Sequence, residues 1–120
     1  MQIIFDEKLI PELKQRYVIL ELDTILQPGM NAPLTLHALV ENVDLNTITN
    51  LADLLKQHEE MIAYYRTSKW DKAEGLAQSM RGSWRGEIDE FYDLVIETCN
   101  KNQSENIVWD GIRYITPSET

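Results

Sequence analysis

The chain has 120 residues, of which 43% are hydrophobic and 26% are charged, and its formal net charge is −9. This length fits one domain that can bury a core without disulfides or a structural metal. A single cysteine excludes an intrachain disulfide and any zinc or iron–sulfur site that needs several cysteines. Because 20 acidic residues stand against 11 basic ones, we do not expect nucleic-acid binding through general basicity.

The sequence contains no segment typical of membrane insertion or secretion. No apolar run approaches the roughly 18 residues that a membrane-spanning helix needs. The first apolar run ends at Asp6 and has neither the basic flank nor the length of a signal peptide. We therefore expect a cytoplasmic protein without membrane contact.

The N-terminal third predicts strands around a short helical stretch. Residues 2–5 form a short apolar strand, and residues 7–15 predict a brief helix or loop with Pro11 in its first turn. Residues 17–27 and 33–42 both alternate between apolar and polar side chains, and the segment between them begins Pro28-Gly29, which is typical of a turn. In the first of these two runs the apolar face carries Val18, Leu20, Leu22 and Leu26, and the opposite face carries Glu21 and Asp23. The pattern predicts an antiparallel hairpin with one buried face.

Three later segments have the apolar spacing of amphipathic helices. The first begins at a cap supplied by Asn46 or Thr47 and ends near Thr67. The second follows a capping box that starts at Ser68, and the third covers residues 87–101. Two glycines, Gly82 and Gly86, predict a sharp bend between the second and third helices.

The C-terminal segment returns to strand character. Residues 107–115 are rich in β-branched and aromatic side chains, and Asp110-Gly111 fits either a tight hairpin turn or a bulge within one longer strand. Residues 117–120 are expected to be a frayed tail. We predict a single α+β domain over residues 1–116, with an antiparallel sheet and about three helices packed on one face. The strand order stays open.

Two histidines and one cysteine offer little metal or catalytic chemistry. The stretch from His58 to Ile62 begins like a zinc-protease helix but lacks the second histidine at position 62. We therefore expect no metal site and no cofactor, with His58 hydrogen-bonded inside the fold and Cys99 as buried core. The acidic side chains of the third helix, from Glu87 to Glu97, are expected to form a solvated face.

The most suggestive stretch for binding is Arg81-Gly82-Ser83-Trp84-Arg85-Gly86. Its two arginines could clamp a phosphate or carboxylate, and the glycines would let the backbone approach a ligand closely. With Tyr92 on the next helix, Arg81, Trp84 and Arg85 are the candidate binding residues. The competing interpretation is a structural corner in which Trp84 is core and the arginines pair with nearby acids.

One short resemblance concerns the helices alone. The ten residues from Tyr64 to Ala73 resemble the turn between the two helices of a tetratricopeptide repeat, although Met61 and Ala77 depart from that pattern. A single unit of this kind cannot build a solenoid. The resemblance implies an αα-hairpin and no peptide-binding function.

A second resemblance extends over most of the chain. Its features are Ile10-Pro11 leading to the stretch from Tyr17 to Thr24, then residues 40–43, the stretch from Tyr65 to Trp70, and Trp84-x-Gly-Glu-x-Asp-x-Phe-Tyr. In these features the sequence resembles small proteins of marine T4-like bacteriophages and ocean metagenomes that carry no assigned activity. The resemblance implies an intracellular, virus-encoded protein and supplies no site residues.

Charge is unevenly distributed along the chain. Five of the eleven basic residues lie within residues 66–85, whereas residues 86–120 hold eight acids and two bases. Such polarity favours contact with a charged partner or with a second copy. Since motifs for nucleotide, phosphate or nucleophilic chemistry are absent from the sequence, we expect a non-enzymatic protein–protein interaction domain that forms homo-oligomers. The alternatives are an acidic effector that imitates nucleic-acid charge to occupy a host protein, and a protein that binds a small anion at residues 81–86.

Overall fold

The computed structural model describes residues 1–41 and 50–115. The predicted helix caps Asn46 and Thr47 and the predicted tail 117–120 lie outside the described residues.

Within the described residues the sheet has four strands, in the order β1-β3-β2-β4. These are β1 (Gln2–Ile4), β2 (Val18–Leu26), β3 (Leu34–Val40) and β4 (Ile112–Tyr114). The predicted hairpin is confirmed as the antiparallel pair β2–β3, and β1 adds to it antiparallel to β3. An α+β fold is therefore shown, with both three-residue strands at the edges of the sheet.

The prediction of a purely antiparallel sheet was wrong, because β4 pairs with β2 in the parallel direction. Parallel neighbours need a long crossover, and here the three long helices lie between the hairpin and β4. The Asp110-Gly111 sequence is neither a hairpin turn nor a bulge within a longer strand. Asp110 instead accepts a hydrogen bond from the Ile112 N–H at 3.0 Å through Oδ1, and the turn leads directly into β4.

In the part of the chain that the structure describes, four α-helices accompany the sheet. They are the short α1 (Ile10–Leu13), which follows a helical turn over Glu7–Leu9, and the long helices α2 (Leu51–Arg66), α3 (Trp70–Met80) and α4 (Asp89–Ser104). The expected αα-hairpin is formed by α2 and α3, and α3 also packs against α4. A tight turn, Ser83–Gly86, links α3 to α4 where the glycines predicted a bend.

The side chains of the sheet divide between two cores. The face that carries Val18, Leu20, Ala38 and Val40 packs against the long helices, with Tyr65, Met80 and Tyr92 among the buried partners. On the opposite face, Ile4, Ile19 and Leu39 pack against Ile10 of α1. The long helices therefore cover one face as predicted, and α1 closes part of the other.

A bulge in β2 changes the environment of Asp23. Glu21 pairs with His37 and Thr24 with Thr35, so three steps along β2 match two along β3. The extra residue shifts the side-chain alternation, and Asp23 points towards α2 instead of lying on the polar face with Glu21. The prediction for Asp23 was therefore wrong, and this carboxylate is only 6% exposed.

Asp23 is neutralised by Arg113 of β4. The Arg113 guanidinium donates from Nε to Asp23 Oδ2 at 2.9 Å and from Nη2 to the Tyr65 hydroxyl and to Thr98 Oγ1. Tyr65 in turn donates to Asp23 Oδ1 at 2.8 Å. One ion pair thus connects β2, β4, α2 and α4, and it holds an edge strand that has few main-chain bonds of its own.

We expect Asp23→Asn to lower the free energy of unfolding by about 2–4 kcal/mol, because it leaves the partly buried Arg113 charge without its counter-ion. Glu21→Gln is the matched control, since Glu21 is a more exposed carboxylate of the same strand, 3.2 Å from Arg66. This control is expected to cost less than about 1 kcal/mol. Urea unfolding of both variants measures the difference, and equal costs would contradict the role given to Asp23.

Candidate functional site

The turn that connects α3 to α4 has an unusual backbone. Gly82 and Gly86 have φ values of +86° and +79°, and Trp84 and Arg85 between them have φ values of +57° and +55°. Left-handed conformations are costly for residues with a Cβ atom, about 1–2 kcal/mol each. The turn therefore stores strain at two consecutive non-glycine positions.

The structure divides the four predicted binding residues between the core and the surface. Trp84 is 3% exposed and Tyr92 fully buried, and the Trp84 indole donates to the Tyr92 hydroxyl at 2.9 Å. Arg85 is exposed, while Arg81 donates from Nε to Asp93 Oδ1 at 2.7 Å. Two of the four side chains thus serve packing, and the guanidinium of a third is paired with an acid of α4.

The acidic face of α4 is partly engaged in the same way. Asp89 accepts from the Gly82 N–H at 2.8 Å, and the Glu87 carboxylate lies 2.9 Å from the N-terminal ammonium of Met1. Together with Asp93, these contacts tie down three carboxylates near the start of the helix. The remaining acids Glu90 and Glu97 are exposed, as the sequence predicted for this face.

His58 is the centre of a buried chain of hydrogen bonds. Its Nε2 lies 2.6 Å from the main-chain oxygen of Glu21, and its Nδ1 lies 3.0 Å from the Tyr92 hydroxyl. Because a carbonyl oxygen only accepts, Nε2 carries the proton and Nδ1 accepts from Tyr92. The order Trp84 to Tyr92 to His58 to the Glu21 carbonyl satisfies every group in the chain, so the predicted hydrogen-bonded histidine is confirmed.

Burial determines the protonation of these groups. Desolvation lowers the pKa of His58 and, with a smaller burial of the ring, that of His37. It raises the pKa of Tyr92, and it raises the pKa of the Cys99 thiol to about 12. Cys99 is fully buried, as predicted, and its thiol stays protonated at neutral pH.

A cleft lies elsewhere, between the C-terminal half of α4 and residues 107–115. Its volume is about 580 Å³, a size that suits a small ligand or a few residues of a peptide. One wall is formed by Leu94, Glu97, Thr98, Lys101 and Asn102, and the other by β4 and the segment before it. We call it the α4–β4 cleft.

Two buried donors at the α4–β4 cleft have no partner in the described part of the chain. These are the side-chain nitrogen Nδ2 of Asn102 and the indole nitrogen Nε1 of Trp109. Asn102 is only 4% exposed. A buried donor without a partner costs about 1–3 kcal/mol, and either nitrogen would recover part of this cost by donating a hydrogen bond to an oxygen atom of a ligand.

Charged and apolar groups surround these donors. Arg113 uses Nε and Nη2 for its internal bonds, which leaves Nη1 without a partner among the described residues. At the rim, Val108 is 98% exposed, Tyr114 54% and Ile107 38%. Exposed apolar side chains that cluster beside a cleft are typical of binding surfaces.

The sequence of residues 107–115 predicts strand structure and does not indicate this cleft. A signal was present in α4, where the apolar stripe through Val95 and Cys99 reaches Asn102 after three further residues. An amide on an apolar stripe predicts a buried polar group. The sequence gives no way to tell whether such a group has a partner.

A smaller cleft of about 240 Å³ lies beside His58 and is lined by Lys14, Glu21, His37 and Glu59. The His37 nitrogen Nδ1 is also buried, and it has no partner among residues 1–41 and 50–115. Over residues 1–41 and 50–115, no group of three or more His, Cys, Asp or Glu side chains is placed to hold a metal ion. Within the same ranges, each helix is too short or too polar to cross a bilayer.

Comparison with known proteins gives no relative: no family model, no curated protein and no solved structure matches this chain. The assignment of function therefore depends on the geometry of the chain itself.

The strained turn gives one test. Arg85→Gly should raise the free energy of unfolding by about 1 kcal/mol, because glycine tolerates a positive φ while losing some chain entropy on folding. Arg85→Ala keeps the Cβ atom and serves as the control, with no comparable gain. Urea unfolding measures both, and equal stabilities of the two variants would show that the turn is unstrained.

The pH dependence of stability tests the burial of the two histidines. Because the pKa of His58 is lowered below 6.5 in the folded state, its contribution to stability is complete above that pH and is lost on acidification. Between pH 7.5 and 5.5 we expect unfolding free energy to fall by up to about 1.4 kcal/mol per pH unit below the unfolded pKa.

His58→Gln should remove most of this dependence, and His37→Gln less of it, because His37 is the less buried ring. Urea unfolding at several pH values gives the comparison. A His58→Gln protein that keeps the full pH dependence would contradict the assignment.

Proposed function

We propose that this protein is a non-enzymatic interaction domain that binds a segment of another polypeptide in the α4–β4 cleft. The observation that carries the proposal is the coincidence of unpartnered buried donors with exposed apolar side chains at one place. The cytoplasmic location and viral origin expected from the sequence belong to the same proposal.

The edge of the sheet supports a polypeptide as the ligand. β4 is the last strand in the order β1-β3-β2-β4, and in the described residues it pairs only with β2. Its outer edge therefore offers free main-chain groups to an extended segment. Ile112 and Tyr114 of this strand also line the cleft, so such a segment would contact their side chains.

The apolar rim supports the same class of ligand. The Val108 side chain is 98% exposed in the isolated domain, so its apolar surface lies in water. Its neighbour Ile107 is 38% exposed. Covering both side chains would remove apolar surface from water, which is the main driving force of protein association. A polypeptide that lies along the rim would cover both side chains.

Self-association is one form of this proposal, in which the bound segment comes from a second copy of the chain. The exposed edge strands and the uneven charge distribution are compatible with it. Size-exclusion chromatography with light scattering measures the molar mass in solution and therefore the oligomeric state. A monomer at high micromolar concentration would place the partner on a different protein.

The structure gives weaker support to the two alternatives, a small-anion-binding protein and an acidic mimic of nucleic acid. Arg81 is paired with Asp93, and Trp84 and Tyr92 are inside the core, so few groups remain for an anion at that turn. Asp89, Asp93 and Glu87 are engaged within the chain, which reduces the acidic surface available to imitate nucleic acid.

The proposal is tested with a library of random peptides, displayed both with free C-termini and as internal loops. We expect selection on the wild-type protein to enrich related sequences whose binding weakens at least about tenfold in Val108→Glu, which places a charge against the apolar partner. Leu9→Glu is the matched control, because Leu9 is half exposed and lies in the turn that leads into α1.

Dissociation constants of the enriched peptides come from titration calorimetry with all three proteins. The proposal fails if no sequence is enriched, or if Val108→Glu and Leu9→Glu bind the peptides alike.

A further inference from the structure

Resting on this proposed function, we infer that the partner segment is an extended strand that pairs with the outer edge of β4, with apolar side chains towards α4 and basic rather than acidic residues beside them. In the complex, β4 would then have a strand on each side.

The pairing of β4 with β2 fixes the direction of its main-chain groups. Tyr114 is the register partner of Leu26, and the Ile115 N–H donates to the Leu26 carbonyl oxygen at 2.9 Å. In a strand, the N–H and C=O of one residue point to one side and those of the next residue to the other. Ile115 and Arg113 therefore direct their main-chain groups towards β2, while Ile112 and Tyr114 direct theirs outwards.

Three of these four outward groups have no partner within residues 1–41 and 50–115. The fourth, the Ile112 N–H, donates to Asp110 Oδ1 at 3.0 Å. The Ile112 carbonyl and both main-chain groups of Tyr114 stay open, since the described part of β4 pairs only with β2. Asp110 thus ends the free edge on one side, and the open groups lie beyond it.

These open groups favour an extended ligand. Ile107 and Val108 line the same cleft as Ile112 and Tyr114, so a polypeptide that covers the apolar rim also takes water from the edge. A main-chain group that loses water without gaining a partner costs about 1–3 kcal/mol. An extended segment supplies the missing donors and acceptors at alternate residues, whereas a helix uses its own within itself.

The walls of the cleft indicate which side chains the strand carries. Arg113 points to the helix side of the sheet, where it donates to Thr98 Oγ1 of α4 at 2.7 Å. Every second residue of an added strand points to the same side. Because Leu94, Ile107 and Ile115 line the cleft there, apolar side chains at these alternate positions would be covered.

The charges around the edge disfavour an acidic segment. Arg113 is paired with Asp23 at 2.9 Å, and the exposed Glu97 lies one helical turn from the exposed Lys101. The further charge at the cleft is the Asp110 carboxylate, and the whole chain has a formal net charge of −9. A lysine or arginine in the segment is therefore attracted, and an aspartate or glutamate is repelled.

The first experiment uses the peptides that the library selection enriches on the wild-type protein. Each is synthesised with a single N-methyl group at successive positions, which removes one main-chain donor at a time. We expect the dissociation constant to rise by about tenfold or more at every second position and little between them, because only alternate residues of an added strand bond to β4. Equal effects at neighbouring positions would overturn the inference.

A variant pair tests the edge from the side of the protein. Tyr114→Pro removes the outward N–H, whereas Tyr114→Val keeps it and loses the same ring and hydroxyl. Proline is tolerated in an edge strand where its missing N–H would face solvent, so the pairing with β2 is retained. We expect Tyr114→Pro to bind the peptides about tenfold or more weakly than Tyr114→Val, and equal binding would overturn the inference.

Amide hydrogen exchange of the wild-type protein decides the question if Tyr114→Pro does not fold. Bound peptide should slow exchange of the Tyr114 amide by about tenfold or more, and that of the Arg113 amide, which already faces β2, by less. An unchanged Tyr114 amide would overturn the inference.

The charge preference is tested with Glu97→Lys, which reverses a charge beside the cleft. Glu90→Lys makes the same change at an exposed position of α4 that does not line it. Peptides with lysine or arginine should bind Glu97→Lys about threefold or more weakly than Glu90→Lys, and the difference should shrink in about 1 M salt. Equal binding to both variants, or enrichment of acidic peptides, would overturn the basic character of the segment.

Two outcomes separate this inference from the proposed function. Val108-dependent peptides without an alternating response to N-methylation would overturn the added strand and leave the proposed function in place. A library that yields no Val108-dependent peptide would overturn the proposed function instead.

Discussion

The buried ion pair between Asp23 and Arg113 is the interaction on which the C-terminal part of the fold depends. β4 has only three residues and pairs on one side, so its main-chain bonds alone hold it weakly. The Arg113 guanidinium adds contacts to β2, α2 and α4 through Asp23, Tyr65 and Thr98. Since removing either charge leaves the other uncompensated in a largely buried place, the pair fixes both the position of β4 and one wall of the α4–β4 cleft.

The buried polar groups of this protein fall into two kinds. In the chain from Trp84 through Tyr92 and His58 to the sheet, every donor meets an acceptor, and the result is a rigid connection between α2, α4 and β2. At the α4–β4 cleft the donors of Asn102 and Trp109 have no partner within the described residues. The contrast between one fully satisfied network and one incomplete network beside exposed apolar side chains is the basis of the proposal that a ligand binds at this cleft.

Two segments that each contain tryptophan and arginine have different roles in the structure. Residues 81–86 predict a binding site because tryptophan, arginine and glycine are common at such sites, yet Trp84 is core and Arg81 is paired with Asp93. Residues 107–115 were predicted only as sheet, yet they form one wall of the α4–β4 cleft. Residue type therefore does not separate a packing role from a binding role, because the same indole or guanidinium group serves either.

Local periodicity in the sequence was enough to determine the hairpin, the three amphipathic helices and the α+β class, since each of these patterns is contained within its own element. Only the tertiary structure decided the direction of β4, the bulge that buries Asp23 and the lack of a partner for Asn102. Each of these depends on contacts between residues far apart in the chain: the strand beside β4, the opposite strand at the bulge, and the loop that closes over α4. The sequence shows that an amide lies on an apolar stripe, and the packing of distant segments determines whether that amide is satisfied.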